Sequence, residues 1–230
     1  MTTHCLFDMD GLLLDTERIY TEVNDEILTR YGKKFTWDIK AQMMGAKERD
    51  AAEIYVKHYK IPLTVDQYIK ERREKLQARF PFAKPLPGVK KLVQHLKESG
   101  VPIAVATSSH RKMFDVKSSN NQEFFAQFDS ITCGDDSHIK NGKPAPDIFL
   151  AAAESLGVKA TQSTSNQNCL VFEDSVLGAW AGVHAGMRVI LIPDPNLEIE
   201  EKLLRSVSKV LHSMEDFLPE EFGLPPYPFP

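Results

Sequence analysis

Two aspartates two residues apart, Asp8 and Asp10, follow an apolar run (residues 5–7) and precede Gly11 and a second apolar run (12–14). Carboxylates that close repel each other unless a cation or a proton intervenes. Other chemistry-bearing residues also fall where short apolar runs end. Thr107 follows 103–106, Asp135 and Asp136 follow 130–133, and Glu173 and Asp174 follow 169–172. Lys143 sits in Asn141-Gly142-Lys143-Pro144-Ala145-Pro146, a turn stiffened by two prolines. Asp8, Asp10 and Asp174 could supply oxygen ligands for Mg²⁺, which keeps several waters and binds through a few carboxylates plus substrate phosphate. The Lys143 ammonium and the Thr107 hydroxyl could bind the remaining phosphoryl oxygens. Phosphoryl transfer asks for such parts, because it is mostly positioning and charge neutralisation. Singly, each residue also fits a plainer role as a turn former, a helix cap or a solvated lysine, and Asp135-Asp136 is read as a turn. The joint pattern carries the chemical reading.

Positioning these residues together requires a sheet. Strands are expected at 5–7, 103–106, 130–133, 169–172 and 188–192, each short and apolar and each followed by a polar turn. Helices alternate with them. Val89, Leu92, Val93 and Leu96 recur at helical spacing after Pro87-Gly88. Residues 146–156 start on a proline, which the first helical turn favours, and 175–185 end at Gly186. Residues 111–127 are a weaker, polar helical stretch, 161–168 a polar loop, 198–212 an expected last helix, and the proline-rich 223–230 an extended tail. Strands alternating with helices imply an α/β, doubly wound parallel sheet, whose ligands bind at the C-terminal ends of the strands. Residues 16–83 differ. Ile19, Val23, Ile27 and Leu28 with Tyr31 mark a helix stopped near Gly32, 47–59 and 65–79 are amphipathic, and no strand is evident. A helical insert of that length costs little closure entropy.

The totals set limits. The 230 residues are 42% hydrophobic with a formal net charge of −4, enough for a packed core and without the basic excess of a dedicated nucleic-acid binder or a polybasic membrane patch. No apolar run reaches the 18 residues of a membrane span. The first strand begins at once after Met1-Thr2-Thr3-His4, leaving no room for a signal peptide. Cys5, Cys133 and Cys169 are scattered in separate apolar runs, which suits buried free thiols better than disulfides or zinc. A soluble cytoplasmic protein is expected, with neither nucleic acid nor membrane as partner.

In that order, Asp8-Met9-Asp10-Gly11, Thr107, Lys143 and Glu173-Asp174 resemble the four motifs of the haloacid dehalogenase superfamily, over essentially the whole chain. The insert resembles the helical cap of its β-phosphoglucomutase-like branch. The resemblance implies a Rossmann-like catalytic core at 1–15 and 85–230 and a cap at 16–84, with 12–15 as the first hinge. Within the branch, FDMDGLLLDTE (7–17), Met44-Gly45, GKPAPDIF (142–149), LVFEDS (170–175), Ala185 to Met187 and the ending at 222–225 resemble the pseudouridine-5′-phosphatase group, which in turn resembles plant glycerol-phosphate phosphatases. Ser175-Val176-Leu177-Gly178, Trp180 and His110 depart from that group's usual residues.

The resemblance implies a mechanism. Asp8 attacks phosphorus and forms an aspartyl phosphate. Asp10 protonates the leaving oxygen and then takes a proton from water. The Asp10 carbonyl and the Asp8 and Asp174 carboxylates hold Mg²⁺, with Glu173 a ligand through water or a support behind it. Lys143 offsets charge, Thr107 and Ser108 bind phosphate, and Gly45 and Lys47 in the cap loop, with Glu17, face the core site and read the leaving group. His138 and His184 are expected to be structural. The expected activity is a Mg²⁺-dependent phosphomonoesterase acting on a small sugar or nucleoside phosphate, with pseudouridine 5′-phosphate ahead of glycerol phosphate. A phosphomutase and a non-catalytic binding protein are the other readings, the latter opposed by the intact motif set. The sequence fixes no oligomeric state, and a monomer is the working expectation.

Overall fold

Apolar runs too short for helices become the strands of one sheet, and the polar residues that end them gather along one edge. The computed structural model describes residues 1–44, 48–158 and 166–228. In chain order, β1 (His4–Phe7) is followed by α1 (Thr16–Thr29), α2 (Trp37–Met43), α3 (Glu48–Tyr59) and α4 (Val65–Arg79). Then come α5 (Val89–Glu98), β2 (Ile103–Thr107), α6 (Arg111–Ser118), α7 (Gln122–Phe125), β3 (Ser130–Cys133) and α8 (Asp147–Ser155). The chain goes on through β4 (Cys169–Glu173), α9 (Val176–His184), β5 (Arg188–Leu191), α10 (Glu201–Leu204) and β6 (Lys209–Val210). It divides into two units, Met1–Leu14 with Lys84–Pro230, and Asp15–Ala83.

The larger unit is a six-stranded parallel sheet in the order β3-β2-β1-β4-β5-β6, so the α/β parallel-sheet expectation holds. β1 lies at the point where the order reverses, between β2 and β4, with Phe7 in register with Val105 on one side and Phe172 on the other. Alternation along the strands divides the core. Leu6, Ala104, Ala106, Val171, Val189 and Leu191 share one cluster with Ile148 and Phe149 of α8 and Ala179 and Ala181 of α9. Phe7 points the other way, stacked on Phe172 at 4.6 Å between ring centroids, while Phe172 meets Phe217 edge-on. Burying a side chain of this size stabilises by about 1.5–3 kcal/mol, so the strands that carry the site are among the best anchored parts of the chain.

Two stretches differ from expectation. Only 201–204 of the expected 198–212 helix is helical; 209–210 pair with β5 as a sixth strand, Leu191 beside Val210. Val207, Val210 and Leu211 keep helical spacing, and the pairing with β5 overrides it. Helix α2 was not evident in the sequence, being a single short run with Ile39 as its buried residue. The tail beyond Gly223 is non-helical, as expected, and lies on α5: the His95 ring donates through Nε2 to the carbonyl of Pro225 at 2.8 Å, and Tyr227 lies under the Lys91 ammonium. Of the expected polar loop, residues 161–165 lie outside the described residues.

The smaller unit is helical, with Ile19, Val23, Ile27 and Leu28 buried along α1. Its centre is an aromatic group. Tyr55 of α3 stacks on Tyr68 of α4 at 4.2 Å, and both hydroxyls end on Asn24 of α1, Tyr55 on its carbonyl at 2.6 Å and Tyr68 on its side-chain oxygen at 2.7 Å. Helix α4 begins with a capping box in which Thr64 and Gln67 satisfy each other's backbone N–H, a device that offsets two otherwise unpaired donors.

Candidate active site

Asp8 immediately follows β1, and its own N–H donates to Phe172 O at 3.0 Å, so the β1–β4 ladder holds the backbone up to the carboxylate. Beyond Asp10 the chain reverses. Gly11 has φ +82°, and the N–H groups of Leu13 and Leu14 both reach Met9 O at 3.0 Å. That left-handed conformation costs glycine little and other residues more. The turn leaves both aspartates at the C-terminal edge of the sheet, beside Thr107 at the end of β2 and Glu173 at the end of β4.

Lys143 brings three of the motif residues together. Its ammonium donates to the Asp8 carboxylate, to Glu173 Oε1 at 2.6 Å and to Ala106 O at 3.4 Å, and it lies 5.0 Å from the centre of the Phe149 ring. All three charged side chains are almost wholly buried, at 7%, 8% and 0% exposure for Lys143, Asp8 and Glu173. Burial raises the Asp8 carboxyl to about 7, and the charges of Glu173 and Asp10 add to the rise while Lys143 opposes it. Burial works against the Lys143 charge, but Asp8 and Glu173 outweigh it and hold the ammonium well above the usual lysine range.

Glu173 is held from both ends. Oε1 meets Lys143, and Oε2 accepts from the N–H of Asp174, the N–H of Ser175 and the Ser175 hydroxyl, each at 3.0 Å. Ser175 Oγ in turn caps α9 by accepting from Gly178 N at 3.0 Å. Glu173 thereby fixes the direction in which Asp174 leaves the strand. Oxygens of Asp8, Glu173 and Asp174 lie within 4.8 Å of one another. Three carboxylates against one ammonium, which pairs with two of them, leave an excess of negative charge, and hard oxygen donors at this spacing fit a small divalent cation such as Mg²⁺.

The remaining expected residues are placed as follows. Asp10 has donors of its own: Lys117 Nζ donates to Oδ1 at 2.6 Å and Ser109 Oγ to Oδ2 at 2.9 Å. Thr107 is fully buried, and its hydroxyl accepts from Ser109 N at 3.1 Å, closing the turn after β2. Ser108 is exposed. Asp135 and Asp136 are the turn formers expected of them. Asp135 Oδ1 accepts from Arg111 N at 2.8 Å, and Asp136 accepts from Cys133 N at 2.9 Å and from the Arg111 guanidinium at 3.1 Å. Glu17 pairs with Lys40 within the helical unit at 3.3 Å. Gly45 and Lys47 lie outside the described residues. His184, expected to be structural, stacks on Trp180 and bonds the Pro144 carbonyl at 2.8 Å, next to Lys143.

Lys117, Ser109 and Gly178 carry no role in the sequence pattern alone. Lys117 had a signal: Phe114, Lys117 and Ser118 share one buried face of α6, and a lysine at a core-facing position needs an acidic partner.

A parallel sheet with carboxylates at its switch point and a lysine between them defines a class of enzyme, and the comparisons agree with it. The chain belongs to the haloacid dehalogenase-like hydrolase family, whose model matches residues 5–192. It is a phosphoric monoester hydrolase. It is 44% identical over 227 residues to (DL)-glycerol-3-phosphatase 2 of Arabidopsis thaliana, covering 98% of this chain and 92% of that protein. It is 43% identical over 226 residues to a Drosophila melanogaster protein named "Probable pseudouridine-5′-phosphatase", covering 98% and 95%. Two crystal structures share the fold. One is a haloacid dehalogenase family hydrolase of Deinococcus radiodurans with bound phosphate and sodium (TM-score 0.78, 24% identity, 98% of each chain). The other is a β-phosphoglucomutase of Clostridium difficile (TM-score 0.68, 19% identity, 96% and 95%). Among the described residues no helix is long and apolar enough to cross a membrane.

Proposed function

We propose that this enzyme is a Mg²⁺-dependent phosphatase of small phosphorylated metabolites that works through an aspartyl phosphate. The observation that carries the reading is the buried Asp8–Lys143–Glu173 cluster with Asp174 beside it. Asp8 is the nucleophile: one carboxylate oxygen forms the bond to phosphorus as the ester P–O bond breaks. Asp10 gives its proton to the departing oxygen and, in the second half, takes one from the water that attacks phosphorus and frees Asp8. Lys143 offsets the charge shared by nucleophile and phosphoryl oxygens, which is why it lies between two carboxylates. Thr107 and Ser108 contribute to the phosphoryl cradle after β2. The Asp8 and Asp174 carboxylates and the Asp10 carbonyl would hold Mg²⁺, which would supply charge neutralisation of the transferring group. Glu173, whose oxygens already serve Lys143 and the 174–175 turn, supports this set from behind or through water.

The helical segment 16–84 is assigned the role of a cap that selects the ester, with Gly45, Lys47 and Glu17 as candidates. The preferred substrate is pseudouridine 5′-phosphate, hydrolysed to pseudouridine and phosphate, with the 7–17 and 142–149 segments as its support. Glycerol 3-phosphate is the second reading, favoured by the similarity to the Arabidopsis enzyme. A phosphomutase is weaker, and a cytoplasmic site of action fits the composition.

A panel of pseudouridine 5′-phosphate, uridine 5′-phosphate, glycerol 3-phosphate and hexose phosphates, assayed for phosphate release with Mg²⁺ and with EDTA, tests this. Pseudouridine 5′-phosphate should lead, and EDTA should stop turnover. A lead for glycerol or hexose phosphate overturns the substrate, and full activity in EDTA overturns the metal. In the same panel Asp8→Asn should be folded and inactive, and retained turnover would remove Asp8 from the nucleophile's role.

A further inference from the structure

Lys117 is 1% exposed, and its ammonium meets Asp10 and Ser109 beneath the catalytic edge. Its Nζ donates to Asp10 Oδ1 at 2.6 Å and to Ser109 Oγ at 3.0 Å, while Ser109 Oγ donates to Asp10 Oδ2 at 2.9 Å. Each oxygen of the Asp10 carboxyl thus has its own donor, and the donors are bonded to each other. One donor would leave the carboxyl free to rotate about its own axis. Two on different oxygens set both side-chain torsions, the pre-organisation that proton transfer in a fixed direction requires.

Packing does not explain a lysine here. A methionine would fill nearly the same space without the cost of burying a charge, which amounts to several kcal/mol before pairing. The support behind Lys117 is also built. The first turn of α6 is tied to the turn after β3 by Asp135, which takes Arg111 N at 2.8 Å, and by the Arg111–Asp136 pair at 3.1 Å, while Arg111 also reaches Ile131 O at 2.9 Å. Phe114 packs edge-on against Phe125 at 5.3 Å. The β3 turn fixes the helix, the helix fixes the lysine, and the lysine fixes Asp10.

We propose that Lys117 is a positioning residue for the proton-transfer step: with Ser109, it holds the Asp10 carboxyl in the orientation that serves the leaving oxygen. The inference rests on the aspartyl-phosphate reading. In its first half, Asp8 Oδ bonds to phosphorus, the ester P–O bond breaks, its electron pair passes to the ester oxygen, and that oxygen takes the Asp10 proton. A misdirected Asp10 harms this half in proportion to how much the leaving group needs the proton. An alkoxide needs it, whereas p-nitrophenolate leaves without it.

The test compares kcat/KM, which reports steps through the first transfer only, for the alkyl phosphate that the wild type cleaves best in the panel and for p-nitrophenyl phosphate. Both are measured with Mg²⁺ for wild type, Lys117→Met and Ser109→Ala. General acid catalysis typically contributes about 10²–10⁴-fold, and the alkyl-to-aryl ratio of kcat/KM should fall by about tenfold or more in Lys117→Met and in the same direction, by less, in Ser109→Ala. Equal losses on both esters, or none, overturn the inference, because a general disturbance of the site has no preference for the leaving group. Should Lys117→Met fail to fold, Ser109→Ala, at a partly exposed position, decides alone by the same ratio. A wild type that cleaves no ester, or an active Asp8→Asn, is a different failure: it removes the phosphatase mechanism, and the inference with it, before either variant is compared.

Discussion

Gly178 leaves the space that Glu173 occupies: a methyl group on it would sit 1.7 Å from Oε1 and 2.4 Å from Oε2 of that carboxylate. The first residues of α9 thus close over the acidic cluster with no room for a side chain. Gly178→Ala must push Glu173 off Lys143 or unwind the first turn of α9, whose Ser175 cap bonds Gly178 N. Overpacking of this kind costs about 1–3 kcal/mol. The variant should lose stability in denaturant titration and also lose turnover. Full turnover with unchanged stability would show that Glu173 can move without consequence for the site.

Lys143 stands between two carboxylates that have little solvent to screen them. Lys143→Met leaves Asp8 and Glu173 buried with no positive charge between them. Removing one partner of a buried pair costs about 3–5 kcal/mol, so the variant should be strongly destabilised in EDTA. Mg²⁺ should return part of that stability, because a divalent ion restores some of the lost charge balance. Turnover should fall about 100-fold or more even with saturating Mg²⁺, in line with the loss of one pre-organised charge. Thermal unfolding with and without Mg²⁺, alongside kcat, checks both parts. Equal destabilisation with and without the metal would place the ion away from this cluster.

Why so much of this site was legible follows from the sheet. A parallel sheet places every strand end on one edge, so Asp8, Thr107 and Glu173 could be grouped from the apolar runs that precede them. Lys143 was legible for a related reason, since Pro144 and Pro146 just after it leave its turn little freedom. Lys117 was less legible because it sits in the middle of a polar stretch, and its burial depends on where the turn at Asp135-Asp136 anchors α6. Gly178 was hidden because its importance is a distance to Glu173, which no spacing along the chain displays. The sixth strand was missed for a similar reason: two residues pair with β5, and a helical periodicity competes well against so short a signal.

The helical unit offers a test independent of the active site. Asn24 is buried on α1, and its side-chain oxygen accepts from the Tyr68 hydroxyl at 2.7 Å and from Arg72 Nε at 3.3 Å. Asn24→Leu keeps the volume but leaves the Tyr68 hydroxyl buried without that acceptor, a cost of about 1–3 kcal/mol. Asn24→Leu with Tyr68→Phe removes both polar groups and should recover much of it. The Tyr55 bond goes to the Asn24 carbonyl and survives either change. Denaturant midpoints of the two single variants and the double variant give the coupling, and additive losses would mean that the Tyr68 hydroxyl finds another partner.

Asp174 gives the most direct test of the metal. Its oxygens approach those of Asp8 and Glu173 within 4.8 Å, and its backbone N–H is fixed by Glu173 Oε2 at 3.0 Å. The side chain can therefore change without releasing the strand end. Asp174→Asn removes one negative charge and weakens the oxygen donor set while keeping its shape. An ion that binds the folded chain stabilises it by RT ln(1 + [L]/Kd), about 2.7 kcal/mol at one hundred times Kd. The wild type should therefore show a Tm that climbs with Mg²⁺ concentration. In Asp174→Asn the same climb should need far more Mg²⁺, and turnover should fall with it. The metal-free Tm should stay level or rise, because fewer like charges are then crowded together. A metal-free Tm that drops sharply would show Asp174 to be a structural partner first, and an unshifted Mg²⁺ response would exclude it as a ligand.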